Sequence, residues 1–353
     1  MNGCSRGAGI RLDGEKGFRV DIVKLTSMSW ISKCIAVAAD LGIADKIGDQ
    51  ALSHGELARL TEADPQVLRR LLQALASVGV FKRDVDGKFR NSEMSESLRT
   101  DHPQSMRHLC MLFGGMYYEA WGELRHTVLT GKPASHKVFG GSIYHYMDDH
   151  QDVARTYDLA MASLARPVVA EMLKHYDLSE VRTVVDVGGG SGTMLHGILT
   201  AHSQISGICA DRRDVCARAA AELEGSGDQD LAARLSFRPS DFFTEVPGDG
   251  DIYLLKNVLH NWSVDSCRRI LKAIGCAMNR QAAVPPRLFV IEPLVEEDGP
   301  GAMRALFQMV ICEEGTHGLS YGQMRGLLDV SGFDILSATR LSTEHYVFEC
   351  ARR

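Results

Sequence analysis

The chain has no C-x-x-C pair and no cysteine–histidine spacing that would frame a metal, although it carries nine cysteines. That excludes a zinc ribbon and a disulfide framework as the organising device. The cysteines sit mostly in apolar contexts, Cys34, Cys209 and Cys276 among them, and read as reduced core residues of an intracellular protein. No apolar segment follows the opening M-N-G-C-S-R-G-A-G-I-R. No unbroken apolar run reaches the length of about 18 residues that a membrane span needs. Neither secretion nor membrane insertion is therefore expected, and the expected compartment is the cytoplasm. Positive charge is also in short supply. Lys and Arg number 39 against 45 Asp and Glu, a net charge of −6, which argues against nucleic acid or an anionic membrane as a partner. Internal repeats and low-complexity segments are missing too.

What remains is an ordinary globular composition, 45% hydrophobic and 24% charged over 353 residues, enough for about two domains. The most informative stretch is Val184 to Gly192, V-V-D-V-G-G-G-S-G. An apolar strand runs into a glycine turn, and Thr193-Met-Leu-His-Gly-Ile-Leu resumes with helical spacing. Glycines there let the backbone turn sharply, approach a ligand closely and set a helix N-terminus beneath it. A dinucleotide site would need glycine at the position held by Thr193. Here an acid, Asp186, sits inside the strand, where it would repel a pyrophosphate and suit a cationic, phosphate-free ligand such as S-adenosylmethionine.

Before that stretch the chain divides by pattern. Residues 1–18 are polar and glycine-rich and read as a loose tail. Residues 19–100 read as helices followed by a hairpin, a winged-helix pattern: apolar spacing from Val20 to Ile47, a capping box at Ser53–Glu56, a helix from Asp64-Pro65 to Val78, and a turn at Asp86-Gly87. Such a module either binds DNA or serves packing and dimerisation. Acids at Glu56, Glu62, Asp64, Asp84 and Asp86 leave it no basic face. Residues 101–178 read as helical and rich in aromatics, suiting either core packing or the wall of a pocket for a flat substrate. Residues 179–353 alternate strand and helix and end in a hairpin. The expected fold class is α/β, a doubly wound, Rossmann-like domain behind a mainly helical winged-helix domain.

In such a sheet ligands bind at the carboxyl ends of the strands. The strand-end residues are Asp186 and Gly188; Asp211, suited to ribose hydroxyls; Asp241 and Phe242 in S-D-F-F, suited to an adenine; and the run K-N-V-L-H-N-W from Lys256 to Trp262. Lys256 is either an ion-pair partner or a neutraliser of acids around a cofactor. Glu292, in V-I-E-P, either orients His260 through a ring nitrogen or caps its strand.

Together V-D-V-G-G-G-S-G, S-D-F-F, K-N-V-L-H-N-W and V-I-E-P resemble the S-adenosylmethionine-dependent O-methyltransferases of the plant caffeate and flavonoid type and their actinobacterial natural-product relatives. The resemblance covers about residues 20–353. It implies that the winged-helix part makes a homodimer, and that Gly188, Asp211, Asp241, Phe242 and Lys256 hold S-adenosylmethionine, beside the Asp186 already read as suiting a cationic ligand. It further implies that His260 is the general base for a small aromatic hydroxyl, that Glu292 orients it, and that no metal is required. The expected substrate wall is Met111, Phe113, Tyr117, Trp121, Met161, Phe307 and Met309, with Asn261 beside the base. Many members carry a second carboxylate flanking the base; here Gly318 stands in its place, next to His317. That departure keeps open C- or N-methylation of an aromatic or α-keto acid, metal-assisted through His260 and His317, with His317 otherwise a residue of the substrate pocket.

Overall fold

The structure, a computed structural model, describes residues 18–248, 250–278, 284–296 and 300–353. Apart from Phe18, the expected tail at 1–18 lies outside the described residues. The chain divides into two compact units, residues 1–114 and 115–353. The helix Arg107–Gly114 therefore belongs to the first unit, although residues 101–178 read as one region from sequence.

Helices Phe18–Asp40, Ile43–Ile47, His54–Thr61 and Pro65–Ser77 precede a hairpin of β1 (Phe81–Arg83) and β2 (Phe89–Asn91). Local chemistry sets the boundaries. Ser53 and Glu56 close a capping box, and Asp64 accepts from the backbone N–H groups of Gln66 and Val67 at 2.9 Å. Gly87, at φ +80°, makes the hairpin turn. Leu57, Leu72, Leu75, Phe81 and Phe89 form the buried centre. Gly114 lets its helix lie directly on the first one: a Cβ there would fall 2.1 Å from that of Ala36.

The first helix bears on the expectation that no segment crosses a membrane. Its segment Ile22–Asp40 averages a mean hydropathy of 1.3 and is long and apolar enough, by length and composition, to cross a membrane; 17% of its apolar window is buried within the chain. Scattered residues such as Lys24, Thr26, Ser29 and Lys33 break every continuous apolar run while leaving the average high.

The second unit is built on a seven-stranded sheet. Its strands are β3 (Thr183–Val187), β4 (Ser206–Asp211), β5 (Leu235–Pro239), β6 (Ile252–Lys256), β7 (Arg287–Pro293), β8 (Phe333–Arg340) and β9 (His345–Arg352). The order is β5-β4-β3-β6-β7-β9-β8, parallel through β7, with β9 antiparallel to both its neighbours. Side chains alternate between two cores, as a strand's period of two requires. Val185 and Val187 pack with the helices Val264–Ala277 and Tyr321–Val330, whereas Val184 faces Gln151–His175 and Thr193–Ala201. The chain order reverses on the two sides of β3, which opens a crevice at its carboxyl end. Cys209 is buried as expected, but Cys34 is half-buried and Cys276 exposed. Cys276 lies off the inner face of its helix, which Cys267, Ile270, Leu271 and Ile274 occupy.

Candidate active site

The glycine turn after β3 works through close approach. Gly188 has φ +73°, and a Cβ on it would lie 2.9 Å from the Val258 side chain. One on Gly189 would lie 2.6 Å from Asp186 Oδ2. The Gly190 N–H donates to Asp211 Oδ2 at 2.8 Å, and the Arg212 N–H to Oδ1 at 2.7 Å, so the β4 carboxylate is fixed beside the turn. Helix Thr193–Ala201 starts immediately after Gly192.

These residues open onto a cavity of about 640 Å³ in the second unit. Of the residues expected to hold a cofactor, Asp186, Gly188, Asp211, Asp241, Phe242 and Lys256 all line it. Their chemistry fits S-adenosylmethionine. Asp186 is 1% exposed, and its Oδ2 is buried without a hydrogen-bond partner among the described residues. Burial, with the charge of Asp211 adding to it and that of Lys256 opposing it, raises its pKa to about 7. A carboxylate so placed is matched by the sulfonium or ammonium group of a ligand and not by a pyrophosphate. Lys256 is itself held down to about 8 by burial, against the pull of Glu292 and Asp186. Phe242 stands edge-on to Trp262 at 5.9 Å, giving a flat apolar wall.

His260 and Glu292 come together as expected. His260 sits in the turn Leu259–Asn261 that follows β6, and its Nδ1 lies 2.5 Å from Glu292 Oε2 at the end of β7. The other oxygen of Glu292 accepts from the Leu259 N–H at 2.8 Å. With the carboxylate 1% exposed and doubly engaged, the ring orientation is set by β7. His260 does not line the large cavity. It borders a smaller space of about 10 Å³, together with Trp262, Thr316 and His317. Asn261 does line the large cavity and is tied back to the Asn257 carbonyl at 3.0 Å.

The residues of the expected substrate wall lie in several places. Met161 lines the cavity; Tyr117, Trp121, Phe307, Met309 and His317 do not. Tyr117 is buried and packs edge-to-face on Phe307, with ring centres 4.9 Å apart, as core aromatics do. Trp121 and Met309 are half-buried. Met111 and Phe113 belong to the first unit, where Met111 packs against the core and Phe113 is 47% exposed. Among the described residues no group of three or more His, Cys, Asp or Glu is placed to hold a metal.

Sequence reasoning placed Met161 on the wall of the cavity but singled out none of its helical neighbours. Tyr157, Asp158, Met161, Ala162 and Ala165 present one face of the helix Gln151–His175, and Tyr144 and Met147 come from Ile143–Asp149. The spacing of Tyr157, Met161 and Ala165 was visible but is equally that of a core helix. Asp158 bonds to Arg218 Nε at 3.0 Å, yet burial still raises its pKa to about 6. Tyr144 stacks on Trp262 at 5.7 Å, and its carbonyl accepts from Arg212, which also pairs with Asp148 at 2.5 Å.

Known proteins resemble this chain over nearly its whole length. An O-methyltransferase domain family matches residues 121–334, and an O-methyltransferase dimerisation domain family matches 23–101. The O-demethylpuromycin-O-methyltransferase of Streptomyces alboniger is 32% identical over 86% of this chain and 80% of its own. Among solved structures, that of LaPhzM superposes with a TM-score of 0.88 at 29% identity, covering 95% of this chain and 99% of its own. An O-methyltransferase from neocarzinostatin biosynthesis, solved with S-adenosylmethionine and 2-hydroxy-5-methyl naphthoic acid, superposes at 0.76 with 27% identity, covering 92% and 96%. Relatives named as N-methyltransferases also occur. The dimerisation match includes most of the apolar first helix and indicates a homodimer. The cationic-ligand crevice and both matched domains lead to one assignment: the chain belongs to the S-adenosylmethionine-dependent O-methyltransferase family, with its dimerisation and methyltransferase domains in that order.

Proposed function

We propose that the enzyme methylates a hydroxyl on a small aromatic substrate in the biosynthesis of a specialised metabolite, in the cytoplasm, with His260 as the general base. The observation that carries this reading is the Nδ1 contact of His260 with buried Glu292. A carboxylate accepts, so Nδ1 carries the proton and the neutral ring keeps its lone pair on Nε2. Nε2 takes the proton of the substrate hydroxyl as the oxygen attacks, and Glu292 offsets the charge that grows on the ring. S-adenosylmethionine supplies a methyl group already activated by its sulfonium.

The chain's own contribution is mainly positioning. Asp186, Gly188, Asp211, Asp241, Phe242 and Lys256 are assigned to cofactor binding. Met161 and Asn261, with Tyr144 and Trp262, are assigned to the substrate side of the same cavity. Isothermal titration with S-adenosylmethionine, followed by turnover on a panel of phenols with wild type and His260→Ala, tests the reading. Tight cofactor binding by both proteins, with methyl transfer lost only in the variant, is expected. Undiminished turnover in His260→Ala would remove the base from the scheme.

A further inference from the structure

His345 opens β9, where it pairs in register with Pro293, the residue after Glu292 on β7. Two neighbouring strand ends therefore serve the segment that joins Lys256 to His260. Glu292 engages its far end, at Leu259 and His260. His345 engages its near end: Nε2 lies 3.0 Å from Asn257 Oδ1. An amide oxygen only accepts, so Nε2 carries a proton. Nδ1 stands 3.0 Å from the Thr343 carbonyl and 3.3 Å from the Thr343 hydroxyl, which is the donor within its reach. Burial, with Lys256 adding to it, holds the pKa of His345 down to about 4, so the ring is neutral.

Asn257 is a residue that needs holding. It has φ +57°, the left-handed region that side chains enter at a cost and that asparagine tolerates better than most. A conformation with so little local preference is kept by its contacts. The Asn257 N–H donates to the Ile291 carbonyl at 3.0 Å, and its own carbonyl accepts from the Asn261 amide at 3.0 Å. Asn261 extends the chain of contacts. Its Oδ1 accepts from the Cys312 thiol at 3.3 Å, and its carbonyl from the Glu313 N–H at 3.1 Å. His260 stands between these two asparagines in sequence, so the direction in which Asn257 leaves β6 decides where the ring of His260 lies.

We infer that His345 is a positioning residue for the base. Through the Asn257 side chain it fixes the left-handed start of the turn, and through Asn261 the course of the turn past His260. Glu292 sets the orientation of the ring; His345 sets the backbone that carries it. This rests on the proposed role of His260 as base.

The test compares the full-length protein with His345→Phe, His345→Gln, Asn257→Gly and the double variant His345→Phe/Asn257→Gly. Turnover is read on the phenol that wild type methylates fastest, and S-adenosylmethionine affinity by titration calorimetry. His345→Phe keeps a ring without its hydrogen bonds; kcat should fall about 3- to 10-fold, with cofactor affinity within about twofold. His345→Gln, which keeps a donor, should recover part of the loss. Glycine takes the left-handed conformation freely but has no side chain to hold, so the double variant should be no slower than Asn257→Gly alone. Losses that multiply in the double variant, or a phenylalanine variant with a lower melting temperature and unchanged kcat, overturn the inference. So does a glutamine variant as slow as phenylalanine; where phenylalanine does not fold, His345→Asn, too short to reach Asn257, takes its place. Full turnover in His260→Ala removes the base and this inference together, whereas multiplying losses beside an inactive His260→Ala overturn this inference alone. Amide hydrogen exchange over residues 257–262 needs no substrate. It should quicken in His345→Phe and return towards wild type in His345→Gln, and no change there overturns the inference whichever acceptor the enzyme takes.

Discussion

Glu292 divides its two oxygens between His260 and the backbone that carries it: Oε2 meets the ring Nδ1 at 2.5 Å, and Oε1 accepts from the Leu259 N–H at 2.8 Å. One buried carboxylate at the end of β7 thus fixes both the turn after β6 and the tautomer of the ring on it. The distance between strands in the chain, 32 residues, is closed by their pairing in the sheet.

That division makes Glu292→Gln an informative change. Glutamine has a single acceptor oxygen for two donors, the Leu259 N–H and the Nδ1–H of His260. If the amide NH₂ faces the ring, the opposite tautomer is favoured and Nε2 is protonated. Methyl transfer should fall by about 10²- to 10⁴-fold, the range for losing acid–base assistance. S-adenosylmethionine affinity, measured by titration calorimetry, should change little. A large loss of cofactor binding instead would mean that Glu292 acts chiefly by holding the crevice together.

Asp186 gives a prediction with a defined sign in pH. Its folded pKa is raised from the ordinary 3.8 to about 7, by burial first and Asp211 second. Between those two values the folded protein holds a proton that the unfolded chain has released, so stability falls as pH rises from about 4 to about 7. The accumulated cost at pH 8 is on the order of a few kcal/mol. Asp186→Asn should therefore raise the melting temperature of the ligand-free protein at pH 8 and give no such gain near pH 4. The same variant should bind S-adenosylmethionine about 10- to 100-fold more weakly, as expected for losing a hydrogen bond to a charged group. Wild-type affinity should itself weaken below pH 7 as Asp186 takes up its proton. Equal melting temperatures for both proteins across this range would show that the buried carboxylate carries no such cost.

The parts of this site that were legible in sequence are those whose chemistry is local. Asp186, Asp211 and His260 stand at strand ends beside turns, and a strand end in a doubly wound sheet is a functional address. Glu292 was legible as a partner for His260 because it closes the next strand in the sheet. The helical wall was not. Tyr144, Tyr157 and Asp158 lie on helices where an aromatic or a half-paired acid reads as core or surface, and only the packing of those helices over the crevice distinguishes them. The same ambiguity applies to Tyr117 and Phe307, which have the composition of a pocket wall and whose rings pack on each other. The exposed Cys276 and the apolar first helix show that local composition does not fix which face meets solvent.

Arg212 links that wall to the cofactor side. Its side chain reaches the Tyr144 carbonyl at 3.2 Å and Asp148, while its backbone N–H holds Asp211. Arg212→Ala keeps the backbone contact and removes the side-chain tie to the helix Ile143–Asp149. Amide hydrogen exchange should quicken across residues 143–149 and stay unchanged in β4. The KM for S-adenosylmethionine should rise several-fold with a smaller effect on kcat, because the wall positions ligands without touching the base. Unchanged exchange in that helix would show that Tyr144 stacking on Trp262 suffices to hold it.

Gly318 supplies a test of why the second flanking carboxylate is missing. The residue has φ +74°, and an added Cβ would meet Val295 Cγ2 at 2.4 Å and Gln308 Oε1 at 2.8 Å. Backbone strain alone costs about 1–3 kcal/mol for a side chain in that region, and the clash adds to it. Gly318→Glu should lower stability by about 2 kcal/mol or more in urea unfolding, without raising methyl transfer. Adding Val295→Ala should recover only the steric share, since the left-handed backbone remains. If the glutamate variant were as stable as wild type and more active, the glycine would be a replaceable departure from the family's pattern. The geometry instead makes it the residue that sets the path of the His317 loop past the Val295 side chain.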